Sequence, residues 1–392
     1  MIYLDNAATT RIDNKVLNNM MPYLRDEFWN PGSFYSKGRS TRDAISKSRA
    51  SVANFVGAEN GGSILFTSSG TEANNLAINS GVCHSFINCD EETPHIIVSS
   101  IEHDSVLKTI RALSNVRKFD LSVLAANRYG MIEPNTLLSE IKPNTKFVSV
   151  MYVNNETGTV NPVDKIGKIC SDMGIMFHTD AVQAAGSLPI DVNKIGCDLL
   201  SISSHKIHGP KGAGALYVRD LSIITPIIIG GTEQEYGYRG GTENVAGIIG
   251  FGTACGLLTN ERVREASFHT SLLKQLFYTT LHDGLENAGL SDILHVNGRP
   301  VTESGKILNI RLDGIDAETL ILLLDNMGIF VSAGSACRSL ESEPSHVLIA
   351  MGLTPDQARS SIRISFSEYN TKDDAWNAAV AVTECVSSLI AR

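Results

Sequence analysis

The order of apolar and polar segments predicts an α/β fold, with a doubly wound, mostly parallel sheet followed by a smaller α+β domain. Short apolar runs alternate with helix-like stretches over residues 64–218, a pattern typical of parallel sheets. The pattern changes around residues 255–265, where longer helical stretches begin. The chain has 392 residues, and because single hydrophobic cores stop growing at roughly 250–300 residues, two domains are expected.

Composition narrows the class of protein. The chain is 43% hydrophobic and 19% charged, which is ordinary for a globular protein and excludes a disordered one. A net charge of −9 argues against a protein whose main role is binding a nucleic-acid backbone. The longest apolar run, Val245–Leu258, is broken by glycines and is shorter than the roughly 18–20 residues of a membrane helix. No secretory segment is visible, so the cytoplasm is the expected location.

The cysteines predict neither a disulfide framework nor a metal site. There are seven of them, an odd number at scattered spacings, and no CxxC pair occurs. Most are expected to be small fillers, and we expect no bound metal.

The first helix with a clear pattern is predicted over Ser40–Val56. Ser40 is a suitable cap, Ile45, Val52, Phe55 and Val56 fall on one face, and Gly57 is a stop signal.

Buried strands are predicted where short apolar runs recur. They are Ile64–Phe66, Ile96–Val98, Phe147–Val153, Ile175–Phe177, Leu199–Ile202 and Ala213–Val218. We assign them to a large domain over residues 15–255.

The smaller domain is predicted from the second half of the chain. It combines a helix over Glu261–Ala288, strands at Ile307–Leu312 and Gly328–Val331, and a last helix over Lys372–Ile390. We assign residues 256–392 to it together with residues 1–14, which are expected to pack against it.

Polar residues follow five of the predicted strands at the point where each strand ends. In an open parallel sheet, ligands bind outside the carboxyl ends of the strands. These residues are therefore expected to meet at one edge: Thr67–Glu72, Ser99–His103, Asn154–Glu156, His178–Gln183 and Ser203–Lys206.

Each of these residues alone has an ordinary interpretation. The Ser-Gly-Thr turn at Thr71 is more often a plain helix cap than a phosphate site, Asp180 a turn residue, and Lys206 a solvated charge. Pyridoxal phosphate accounts for the set, because it needs a lysine, an acid at its ring nitrogen and phosphate anchors. Lys206 is then the Schiff-base lysine, its pKa lowered by burial and nearby positive charge. His103 is placed to stack on the ring and move protons.

Motifs spread over the chain resemble the cysteine desulfurases, in the class V branch of the fold-type-I pyridoxal phosphate enzymes. The matching segments are YLDNAATT (Tyr3–Thr10), TSSGTEANN (Thr67–Asn75), EHDSV (Glu102–Val106), VNNETG (Val153–Gly158), HTDAVQ (His178–Gln183), SISSHKIHGPKGAGALYV (Ser201–Val218), RGGTEN (Arg239–Asn244) and SAGSACRS (Ser332–Ser339). The last segment resembles the group I enzymes. The resemblance implies a seven-stranded sheet sandwiched by helices.

The resemblance also implies roles for individual residues. Lys206 carries the cofactor, Asp180 pairs with its ring nitrogen and Gln183 with its ring hydroxyl, while Asn155 contacts the ring oxygen or the substrate. Phosphate is held by Gly70, Thr71, Ser203 and His205. Thr242 reaches the cofactor of the other subunit, so a homodimer is implied. Arg363 binds the substrate carboxylate, and Cys337 accepts the sulfur.

Cys337 also stands out by itself. It lies among small and polar residues, which predict a loop, and Arg338 beside it favours the thiolate. A sulfur carrier must visit both the cofactor and an acceptor, so a loop suits it.

Two positions depart from the family's usual motifs. Tyr35 stands where histidine is common, and Ser105 replaces the alanine of EHxAV. Neither is expected to touch the core chemistry.

The expected reaction is removal of sulfur from L-cysteine, giving L-alanine and a Cys337 persulfide that passes to an acceptor protein. The acceptor pathway stays open among iron–sulfur clusters, tRNA thiolation, thiamine or molybdopterin sulfur, and DNA phosphorothioation. No direct nucleic-acid contact and no membrane partner are expected. Alternatives are a selenocysteine lyase, another class V aminotransferase-like enzyme, or a silent scaffold subunit.

Overall fold

The computed structural model describes residues 1–87, 93–301, 305–333 and 343–391. The predicted loop around Cys337 lies outside the described residues. The helices are α1 (Asn14–Arg25), α2 (Ser36–Val56), α3 (Gly70–Ile87), α4 (Asp104–Ser114), α5 (Pro134–Glu140), α6 (Val163–Asp172), α7 (Val192–Ile195), α8 (Val245–Leu257), α9 (Asn260–Asn287), α10 (Ala317–Asn326), α11 (His346–Ala350), α12 (Pro355–Arg359) and α13 (Lys372–Ile390). The strands are β1 (Ile2–Tyr3), β2 (Ile64–Thr67), β3 (His95–Ser99), β4 (Asp120–Leu124), β5 (Thr145–Ser149), β6 (Met176–Asp180), β7 (Leu199–Ser203), β8 (Gly214–Val218), β9 (Leu294–Asn297), β10 (Ile307–Leu312), β11 (Ile329–Phe330) and β12 (Ser361–Ser365).

The largest sheet is seven-stranded over the described residues, in the order β2-β8-β7-β6-β5-β3-β4. Strands β4, β3, β5, β6 and β7 run parallel, and β8 is antiparallel to both of its neighbours. The predicted mostly parallel sheet, flanked by helices, is confirmed.

All six strands predicted for this sheet are present, with shifted ends. The run Phe147–Val153 leaves the strand after Ser149, and the Met151 N–H turns to the Glu102 carboxylate instead. Strand β4 was missed because it is an edge strand with an exposed, mixed sequence that lacks an apolar run.

The helix predicted over Ser40–Val56 begins earlier, at Ser36. Its cap position is Tyr35, so the prediction that Ser40 caps the helix was wrong. No side chain marks the start of this helix, which is why capping signals pointed to the wrong residue. Its end is as predicted, since Gly57 adopts the left-handed conformation, with φ 74°.

The glycine-broken apolar run forms helix α8, which packs on α1 and α2. A Cβ atom on Gly252 would lie 2.5 Å from Ser48 Cβ, and one on Gly250 would lie 2.5 Å from Met20 Sδ. The glycines thus allow three helices to approach closely.

The second half of the chain forms a separate antiparallel sheet, β12-β10-β9, packed with α9, α10 and α13. The N-terminus joins this part, because β1 pairs in parallel with β11 and Leu4 lies in the same hydrophobic core. Val347 and Leu348 of α11, in contrast, belong to the core of the large sheet. The exact division of the chain into domains stays a prediction.

Within the described ranges, no helix is long and apolar enough to cross a membrane.

Candidate active site

A cavity of about 410 Å³ opens at the carboxyl ends of the large-sheet strands, where the small sheet and the N-terminal segment meet them. It brings together nearly all the predicted site residues: Gly70, Thr71, His103, Asn155, Asp180, Gln183, Ser203, His205, Lys206 and Arg363. Thr242 is exposed and does not line this chain's cavity. Cys337 lies outside the described residues.

Lys206 follows strand β7 and is held by main-chain carbonyls. Its Nζ donates to the carbonyl oxygens of Ala7 and Ala8, the latter at 2.8 Å. Burial lowers the pKa of Lys206 to about 7, and the positive charges of Arg363 and Lys306 add to this effect. The amine therefore loses its proton close to neutral pH, as a nucleophilic or basic lysine must.

Asp180 ends strand β6 and is buried, with 4% of its surface exposed. Its Oδ2 accepts a hydrogen bond from Asn74 Nδ2 at 2.7 Å, and its Oδ1 accepts one from the Val182 N–H at 2.9 Å. A carboxylate fixed in this way can hold a protonated ring nitrogen.

One end of the cavity has the features of a phosphate site. Gly70 begins helix α3, and a Cβ atom there would lie 2.8 Å from Val182 Cγ2 and 3.3 Å from Ser203 Cβ. The buried Ser203 hydroxyl has no hydrogen-bond partner among the described residues. Because a helix N-terminus and an unpaired hydroxyl both favour an anion, these residues fit the phosphate of pyridoxal phosphate.

His205 and Gln183 complete the polar lining. Burial, together with the Lys206 charge, lowers the pKa of His205 to about 4, so its imidazole is neutral at neutral pH. Its Nδ1 lies 3.1 Å from Thr9 Oγ1. The Gln183 amide donates to the Ala7 carbonyl at 2.8 Å, while its buried Oε1 has no partner in the described part of the chain. This open acceptor also fits a bound polar group.

Arg363 lies on strand β12 and is only 2% exposed. Its Nη2 is 2.8 Å from Asp5 Oδ1, and its Nη1 donates to the Asn155 carbonyl at 2.9 Å. The guanidinium is thus fixed in direction before any substrate carboxylate arrives.

His103 precedes helix α4 and caps it. Its Nδ1 accepts from the Ser105 N–H at 3.1 Å and lies 2.8 Å from Ser105 Oγ. Ser105 was expected to lie away from the core chemistry, whereas the structure places its hydroxyl in contact with His103, a candidate proton-transfer residue. The motif comparison registered the residue change but could not show where its hydroxyl points.

Several lining residues were not singled out from the sequence. Ala7, Ala8 and Asn74 line the cavity, and Asp5 pairs with the lining residue Arg363. All four belong to motifs quoted above, which was the available signal. His346 also lines the cavity, and its Nε2 lies 2.9 Å from the Glu102 carbonyl oxygen. No sequence pattern marked it.

Comparisons with known proteins identify the family of the chain. The family described as "Aminotransferase class-V" matches residues 2–377. A protein of Methanosarcina thermophila named "Cysteine desulfurase IscS" is 43% identical over 390 residues, covering 99% of this chain and 92% of the relative.

Solved structures also match the chain over nearly its full length. A structure titled "NIFS-LIKE PROTEIN" has a TM-score of 0.87 at 33% identity, covering 99% of each chain. A structure titled "SspA in complex with cysteine" has a TM-score of 0.77 at 33% identity, covering 95% of this chain and all (100%) of the other. The chain belongs to the class-V aminotransferase family, and within it to the cysteine desulfurases.

Proposed function

We propose that this chain removes sulfur from L-cysteine, giving L-alanine and a persulfide on Cys337. The observation that carries the proposal is the meeting of Lys206, Asp180 and Arg363 in one cavity. These groups supply an amine that titrates near neutrality, a buried carboxylate and a fixed guanidinium. In a chain of this family, they match what a pyridoxal phosphate enzyme acting on an amino acid needs.

Members of this family depend on pyridoxal phosphate, which supplies an electron sink that stabilises negative charge at the substrate α-carbon. Lys206 would link to it, Asp180 would hold its ring nitrogen, and Gln183 its ring hydroxyl. Its phosphate would be bound by Gly70, Thr71, Ser203 and His205, and by Thr242 of a second copy of the chain.

Arg363 binds the carboxylate of L-cysteine. Because Asp5 and the Asn155 carbonyl already fix its guanidinium, little rotamer entropy is lost when the substrate binds. Asn155 also lines the cavity, and its side chain would contact the substrate.

Once the amino group of L-cysteine has displaced it, Lys206 Nζ takes the proton from the substrate α-carbon. A base works best when its pKa lies near the working pH, and burial brings that of Lys206 to about 7. His103, which lines the cavity, transfers a proton during formation of the product.

Cys337 accepts the sulfur. Its thiolate attacks the substrate sulfur, an S–S bond forms, and the C–S bond breaks. The electron pair of that bond stays on the substrate Cβ, which is protonated to give the methyl group of L-alanine. The persulfide then passes to an acceptor protein. The acceptor, the homodimer and the cytoplasmic location stay predictions.

A cysteine substitution tests the sulfur-transfer step. In Cys337→Ser, the cofactor absorbance should persist, while the persulfide and the alanine output should disappear. Cys83→Ser is the matched control, because Cys83 is a half-buried free thiol that does not line the cavity. It should behave as wild type. Normal alanine and sulfide output from Cys337→Ser would rule out the proposal.

A further inference from the structure

Ser105 lies between two groups that the proposed function uses. Its Oγ is 2.8 Å from His103 Nδ1 and 2.9 Å from Asn74 Nδ2, and Asn74 Nδ2 is also 2.7 Å from Asp180 Oδ2. Ser105 is buried, with 7% of its surface exposed. A continuous chain of hydrogen bonds therefore joins the His103 imidazole to the Asp180 carboxylate.

The direction of each bond in this chain is fixed by counting hydrogens. Asn74 Nδ2 carries two of them, and the Asp180 carboxylate, which only accepts, requires that Nδ2 and not Oδ1 faces it. The second Nδ2 hydrogen goes to Ser105 Oγ. The hydroxyl hydrogen of Ser105 is then left for His103 Nδ1, which the Ser105 N–H also approaches, at 3.1 Å.

We propose that Ser105 is a positioning residue, which fixes the tautomer and the ring plane of His103 by linking it to the Asn74–Asp180 pair. Since Nδ1 accepts hydrogen bonds, the neutral ring carries its hydrogen on Nε2. His103, which lines the cavity, is thereby held in one tautomer, with its Nε2–H as a hydrogen-bond donor. The expected effect of Ser105 on turnover rests on the proposed function. Its expected effect on the His103 ring does not.

Ser105→Ala is a mild substitution, because alanine is the usual residue of the EHxAV motif that this segment resembles. It removes only the hydroxyl, while the backbone bond to Nδ1 remains. Ser105→Thr keeps a hydroxyl. Ser85→Ala is the matched control, since Ser85 is a buried serine whose hydroxyl donates to the Gly81 carbonyl of its own helix.

The first test is nitrogen NMR of protein labelled with ¹⁵N-histidine, without and with pyridoxal phosphate, using His103→Gln to assign the signals. In wild type, the two His103 nitrogens should give well-separated signals, with the hydrogen on Nε2. In Ser105→Ala the two signals should move part of the way towards each other, because Nδ1 keeps only the backbone bond and the other tautomer becomes more populated. Ser105→Thr and Ser85→Ala should match wild type.

The second test is steady-state kinetics with L-cysteine. Ser105→Ala should lower kcat by about threefold to tenfold, the effect of losing one hydrogen bond. KM should not change, because Ser105 is not assigned a substrate contact. Ser105→Thr should restore kcat.

Unchanged His103 signals in Ser105→Ala would overturn the proposal, as would a rise in KM at constant kcat. If the wild-type protein yields neither alanine nor sulfide, the proposed function fails. The NMR result on the same protein would still decide the role of Ser105.

Discussion

Lys206 and Arg363 are two cationic side chains that line the same cavity, and they are held in opposite ways. Arg363 is paired with a carboxylate, Asp5, at 2.8 Å. Lys206 donates to neutral carbonyls, and its pKa falls to about 7. The comparison shows how one cavity keeps a permanent positive charge on Arg363 beside an amine, Lys206, whose pKa lies near neutrality.

Removing the amine should have the largest effect. Lys206→Ala should lower turnover of L-cysteine by about 10³-fold or more, because both the cofactor link and the base are lost. Alanine production and the absorbance of the protein measure this. Lys211→Ala is the control, as Lys211 is exposed in the same segment and should keep activity. Substantial turnover by Lys206→Ala would refute the assignment.

A substitution of Arg363 should weaken the binding of L-cysteine. Arg363→Lys keeps the charge but loses the planar fork, so KM for L-cysteine should rise about tenfold to a hundredfold, with a smaller change in kcat. Arg359→Lys, at a half-exposed arginine bonded to Asp356, is the control. An unaltered KM in Arg363→Lys would mean that another group binds the carboxylate.

The phosphate end should be sensitive to one added methyl group. Gly70→Ala should weaken binding of pyridoxal phosphate about tenfold, because the new Cβ would lie 2.8 Å from Val182 Cγ2. Titration of the cofactor-free protein by fluorescence measures the Kd. Gly256→Ala, where a Cβ would meet none of the described residues within 4 Å, is the control. Equal affinities in the two variants would place the phosphate elsewhere.

The smallest effect is expected from the acid beside Arg363. Only the deprotonated amine attacks an aldehyde, so attachment of pyridoxal phosphate to the cofactor-free protein should speed up with rising pH, with a midpoint near the Lys206 pKa of about 7. The Asp5 charge raises that pKa. Asp5→Asn should therefore move the midpoint to lower pH, by roughly half a unit to one unit.

Asp26→Asn, at an exposed acid on the surface, should leave that midpoint in place. A wild-type midpoint near the ordinary lysine value would show that Lys206 is not perturbed, and the contrast with Arg363 would then disappear.

The two cations also differ in how far the sequence predicts them. Lys206, Asp180 and His103 follow strands of one parallel sheet, so topology alone brings them to the same edge. The pairing of Asp5 with Arg363 joins residues 358 positions apart and depends on the segment after β1, where Asp5 forms a bridge to Ser365 of β12. No local pattern encodes such a contact.

Capping and motif signals in the sequence also failed to predict two features of the structure. Helix α2 begins without a side-chain cap, so its start was misplaced. The hydroxyl of Ser105 was expected to lie away from the core chemistry because its contact with Asn74 joins residues 31 positions apart, although its contact with His103 is local. The motif resemblance supplied roles that periodicity could not, and Cys337 remains known from sequence alone.

The most direct test of the account is to add L-cysteine to the purified, cofactor-loaded protein and to measure alanine and sulfide together, with and without a thiol reductant. The account predicts a yellow protein that forms alanine, and releases an equal amount of sulfide only when the reductant is present. A cofactor-loaded protein that forms no alanine from L-cysteine would contradict it.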